Sequence, residues 1–129
     1  MGRTTYEIDA ERGLARTFYE GQITADDFIG LAQRVTADPG FRTGMPTVGD
    51  FTRAWFDVDF AEVARAEEFT RKILVYLQGP TRWAAMATDA GAVQVLGMFV
   101  GLHDHSRIEV RIFDEPAADQ DPAFRRRLY

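Results

Sequence analysis

The run Trp83-Ala84-Ala85-Met86-Ala87 constrains the fold more than any other feature of the chain. It follows the helix-stopping pair Gly79-Pro80 and precedes Asp89, a residue suited to capping a helix. A strand with one wet face alternates apolar and polar residues, whereas a strand covered on both faces reads as a continuous apolar run. The segment therefore predicts a strand over Arg82–Ala87 inside a covered sheet. Parallel sheets have this habit, and their strands are joined by helices.

The rest of the chain supplies those helices. Tyr6–Asp9 and Leu14–Tyr19 alternate with period two around Ala10-Glu11-Arg12-Gly13, which predicts a β-hairpin. In its second arm Leu14, Arg16 and Phe18 share one face, and Ala15, Thr17 and Tyr19 the other. Thr24 caps a helix whose first turn holds Asp26 and Asp27 and whose buried stripe is Phe28, Leu31, Ala32 and Val35. Asp38-Pro39-Gly40 stops it. Pro46–Asp50 reads as a short strand and Phe51–Val58 as a loop carrying Trp55 and Phe56.

Asp59 caps a second helix over Phe60–Leu77. Its inner face is read as Phe60, Val63, Ala66, Ile73 and Leu77. Glu67 with Arg71 and Glu68 with Lys72 form i,i+4 pairs on a solvated outer face. A third helix over Ala90–Leu102 and a strand over Ile108–Phe113 follow, then a terminal helix within Pro116–Leu128.

At 129 residues the chain fits one domain, residues 1–129, able to bury roughly two-thirds of its unfolded surface. Strands alternating with helices predict a single α/β domain: a five-stranded mixed, mostly parallel sheet with helices on both faces and the hairpin strand antiparallel. With no cysteine, disulfides and zinc–thiolate sites are excluded. The net charge of −5 argues against a nucleic-acid partner. The longest apolar stretch, Ala92–Leu102, is too short for a membrane span of about 20 residues. Met1–Tyr6 lacks an apolar leader, so the expected location is cytoplasmic.

Gly21-Gln22-Ile23-Thr24-Ala25-Asp26-Asp27-Phe28, Val48-Gly49-Asp50, Trp83–Asp89 and Glu109–Asp114 together make the chain resemble the SpoIIAA-like family. That family is a branch of the STAS fold that includes anti-sigma-factor antagonists. The resemblance spans residues 6–118 and implies a small α/β domain with a mixed sheet. Relatives exchange partners when a serine at the start of the second conserved helix is phosphorylated. Here Asp59 stands at that helix start, and the one serine of the chain is Ser106. The resemblance thus implies a STAS-like protein-interaction module without that switch.

Candidate chemistry is sparse. His103-Asp104-His105 offers metal-ligand types, but a third ligand has no evident source. Asp50, Asp57, Asp59 and Asp89 suggest a carboxylate cluster at the carboxyl ends of the strands, where open α/β sheets bind ligands. Capping and loop preference account for the same residues. Ser106 adjoins His105 on no nucleophile elbow. Gly91, Gly97 and Gly101 match no phosphate loop. Arg125-Arg126-Arg127 reads as a solvated face. The expectation is no catalytic residue, no metal and no cofactor.

The third helix is apolar on more than one face, so part of it must meet something besides the sheet. A second copy of this chain, an apolar ligand and a returning tail all satisfy it. The expected contact residues are Trp55, Phe56, Val95, Met98, Phe99 and Leu102. Two functions follow: a homodimeric, non-enzymatic interaction module with an unidentified protein partner, or a carrier of a small apolar ligand or lipid in a pocket like that of CRAL-TRIO domains.

Overall fold

The computed structural model describes residues 2–77, 81–102 and 108–113, with the backbone alone described at 74–77, 81, 108–111 and 113. β1 (Arg3–Asp9) and β2 (Leu14–Ile23) form the expected hairpin. Gly13, at φ 68°, donates its N–H to the Asp9 carbonyl at 2.8 Å and closes the turn. The Arg16 guanidinium reaches the Asp9 carboxylate at 2.8 Å across it.

Strand β2 runs beyond the expected Leu14–Tyr19 arm, through Gly21 to Ile23. Its register against β3 (Thr47–Phe56) shifts between Phe18 and Glu20, and beyond the shift Glu20–Ile23 pair with Arg53–Phe56. The expected loop over Phe51–Val58 is therefore strand as far as Phe56. The shift explains the misreading. Phe51 and Ala54 are both buried beneath the helices although three positions apart, so the alternation that marks a strand is broken there.

Three helices connect the parallel strands. α1 (Ala25–Ala37) opens on a reciprocal cap: Thr24 Oγ1 accepts the Asp27 N–H at 3.2 Å, and Asp27 Oδ2 accepts the Thr24 N–H at 2.9 Å. In α2 (Phe60–Leu77) Asp59 accepts the Glu62 N–H at 2.9 Å. In α3 (Ala90–Leu102) Asp89 accepts the Ala92 N–H at 2.9 Å. β4 (Thr81–Met86) precedes α3, and β5 (Ile108–Phe113) follows it.

The inner face of α2 differs from the sequence reading. Val63 and Ala66 are buried as expected, but Phe60 is 59% exposed and Glu67 only 3%. At 3.6 residues per turn Val63, Ala66, Glu67 and Thr70 share one stripe, and Phe60 lies in the first turn beyond the packed part. Arg71 binds the inturned Glu67 carboxylate at 2.8 Å, whereas Glu68 and Lys72 pair at 3.4 Å on the outside. No described helix is long and apolar enough to cross a membrane.

The strands lie in the order β1-β2-β3-β4-β5, with β1 antiparallel to β2 and the others parallel. The single α/β domain with a mixed sheet matches the sequence reading. The arrangement of helices on both faces does not hold for the described ones. Leu31, Val35, Val63, Ala66, Ala92, Leu96 and Phe99 from the three helices join one cluster with Tyr19, Phe51, Trp83 and Ala85 of the sheet. Each crossover steps to the next strand in the same direction, and right-handed crossovers repeated that way deposit every helix on one side. Leu14, Val48, Ala84 and Met86 form a separate buried cluster on the opposite face. The terminal helix read within Pro116–Leu128 lies outside the described residues.

Candidate functional site

Among the described residues, the core beneath the helices leaves a space. A cavity of about 110 Å³ lies between the helical layer and the sheet, towards the amino ends of the parallel strands. Leu31, Ala32 and Val35 wall it from α1, Thr70 and Ile73 from α2, and Phe99 from α3. Thr17, Tyr19, Thr47 and Trp83 wall it from the sheet, with Arg82 at the start of β4. Phe41, Gly44 and Met45, from the connection between α1 and β3, also line it. These residues follow from the local sequence. The spacing of Leu31, Ala32 and Val35 puts them on one face of α1, and strand alternation turns Thr17 and Tyr19 towards it.

A second cavity of about 40 Å³ lies towards the carboxyl ends of the same strands, among Phe51, Phe56, Val63, Val95 and Leu96. Phe28, Trp83 and Phe99 line both cavities. Their rings meet edge to face, with centroids 6.0 Å apart for Phe28–Trp83, 5.7 Å for Phe28–Phe99 and 5.4 Å for Trp83–Phe99. Three rings thus partition one apolar interior into two chambers.

Polar groups in the larger chamber are few. Thr17 is 4% exposed, and its Oγ1 is buried without a hydrogen-bond partner. Burial pushes the Tyr19 phenol up, with Thr17 and Arg34 acting weakly the other way, so the ring stays neutral. Tyr19 stacks on Phe51 at 4.0 Å between centroids. Gly49 lies beside Thr17 in the sheet, and a Cβ there would stand 3.2 Å from Thr17 Oγ1, 3.1 Å from Trp83 Nε1 and 3.0 Å from Phe51 Cε2. The polar side chains among its described lining residues are Thr17, Tyr19, Thr36, Thr47, Thr70 and Arg82.

Compared with known proteins, the chain matches no family model and no curated sequence.

The residues singled out from sequence occupy different settings. Val95 and Phe56 are half-buried in the wall of the smaller chamber, and Phe99 is 5% exposed inside the core. Met98 is half-buried against the same core. Trp55 and Leu102 are exposed. The six do not come together as one outer patch. Asp59 and Asp89 cap their helices, Asp50 accepts from the Thr52 N–H and hydroxyl at 2.9 and 2.6 Å, and Asp57 is exposed. Among the described residues no three His, Asp or Glu side chains converge as a metal site would require. His103, His105, Ser106 and Arg125–Arg127 lie outside the described residues. Sequence reasoning missed the roles of Thr17, Tyr19 and Gly49. The only available signal was a threonine amid the apolar face of a strand.

Proposed function

We propose that this protein is a non-enzymatic carrier or sensor of a small apolar ligand held between its helical layer and its sheet. The observation that supports this best is the chamber itself. Small-ligand sites are concave, predominantly apolar and furnished with few polar groups, and this chamber has that composition. Native cores leave few voids larger than a water molecule, and a space of this size among the described residues is one that a ligand would fill. The resemblance to SpoIIAA-like domains, and with it a cytoplasmic interaction role, belongs to the same proposal and draws support from the mixed α/β sheet.

The test is a thermal-shift and calorimetric titration with small apolar compounds, together with mass spectrometry of whatever the purified protein retains. Ala32→Leu would fill the chamber from α1 and is expected to abolish binding while the protein still melts cooperatively. Retention of no compound by the unaltered protein, or equal binding by Ala32→Leu, would overturn the reading.

A second reading, a homodimeric or partner-binding module, is favoured by Trp55 at 52% and Phe60 at 59% exposure. Large aromatic side chains act often as interface anchors. Sedimentation of Trp55→Ser and Leu102→Glu beside the unaltered protein tests it. A monomer at micromolar concentration would remove the dimer, and a dimer indifferent to both changes would remove these residues from its interface.

A further inference from the structure

β1 is an edge of the sheet, and its outward backbone is paired with no described strand. The Arg34 guanidinium donates to the Thr4 carbonyl at 3.4 Å, which marks Thr4 as a residue whose backbone groups point off the sheet. In an antiparallel ladder every second residue does so, which adds Tyr6 and Ile8. Natural edges are commonly blunted by proline, a bulge or brevity. β1 has no proline among its seven residues and pairs with β2 without a register shift. Its outward positions are threonine, tyrosine and isoleucine, all residues that suit a strand.

The charges along β1 select the partner. Arg3, Thr5 and Glu7 are exposed on the face away from the helices, with Asp9 half-buried beside them. Arg3 makes no ion pair among the described residues. An antiparallel second copy related by a two-fold axis at Tyr6 sets Arg3 against the partner's Asp9 and Thr5 against the partner's Glu7. Tyr6 then meets the partner's Tyr6, and Thr4 the partner's Ile8, so all three outward residues exchange backbone bonds. An axis at Glu7 would oppose two glutamates, and an axis at Thr5 would leave Ile8 and Asp9 unpaired. We propose that two copies of this chain pair through β1 in the Tyr6-centred register, joining their sheets into one. The Arg34 bond, long and exposed, gives way to the N–H of the partner's Ile8. This contact goes beyond the carrier reading and uses a surface other than Trp55 and Leu102.

Sedimentation between about 10 µM and 1 mM tests it, because an edge contact is smaller than a standard interface. The unaltered protein is expected to dimerise within that range. Thr5→Lys, facing the partner's Glu7, is expected to tighten the dimer about five-fold, and Thr5→Glu to weaken it as much, since the two-fold repeats each pair. Hydrogen exchange reads the register: the amides of Thr4, Tyr6 and Ile8 are expected to gain protection as the concentration rises. A monomer throughout the range would overturn the inference and leave the carrier reading standing. A dimer indifferent to both Thr5 variants, or one that leaves those three amides unprotected, would overturn it too. A dimer that answers to Trp55→Ser or Leu102→Glu instead would place the contact on the other surface and equally overturn it. Thr5 is exposed, and thermal melts of both variants establish that any change comes from a folded protein.

Discussion

The Tyr6 hydroxyl donates to the Asp38 carboxylate at 2.7 Å, so an edge strand clasps the end of the first helix. Asp38 is held below the usual carboxylate range by the Gly40 N–H first and by Tyr6 second. A carboxyl lowered in this way stabilises the fold above its unfolded value of about 3.9, and that contribution is lost as the pH falls through the folded value. Tyr6→Phe removes one of the two bonds. The fall in urea midpoint between pH 7 and pH 3 is expected to be smaller in the variant. Asp9, lowered chiefly by its bond to Arg16, keeps its share of the acid sensitivity in both proteins.

Gly49→Ala tests the crowding around the chamber floor. The added Cβ would lie 3.0 Å from Phe51 Cε2, and Phe51 is fully buried. The buried Phe51 ring cannot withdraw freely, so the substitution is expected to cost about 1–3 kcal/mol by urea denaturation. A neutral result would mean that the floor yields.

Thr24→Ala breaks the reciprocal cap of α1. The expected loss is about 1 kcal/mol with an unchanged denaturant slope, since one cap bond disappears and the core is untouched. No change in midpoint would show that Asp27 and solvent replace it fully.

Phe99→Ala removes one ring of the partition. Truncating a buried phenylalanine costs about 3–5 kcal/mol, so the variant is expected to melt well below the unaltered protein. Joining the two chambers should also admit a two-ring compound such as naphthalene. Calorimetry with naphthalene on the unaltered and variant proteins reads this directly.

The caps at Thr24, Asp59 and Asp89 were legible because each is a local event, a side chain meeting an amide three residues on. The apolar run of β4 was legible for a similar reason: Trp83 to Ala87 are all buried, whichever neighbours bury them. The far half of β3 was not legible, since only its partner strand reveals the shifted register. The surplus apolar surface of α3 was visible, but its destination was not. Phe99 goes to the core and Leu102 to the surface, and which is which depends on how the helix rotates against Trp83. The chamber lay furthest from view. Thr17, Gly49 and Trp83 are distant in sequence and become neighbours only through two parallel pairings.

The strand order has a consequence for how the chain is made. Each parallel strand pairs with the one completed just before it, so every new βα unit docks on an edge that already exists. No early strand must be held open for a partner synthesised much later. The hairpin is a local seed, and growth from it proceeds in the direction of translation, with short loop closures at each step. A ribosome releasing this chain would leave the growing edge open only until the next strand emerges to cover it.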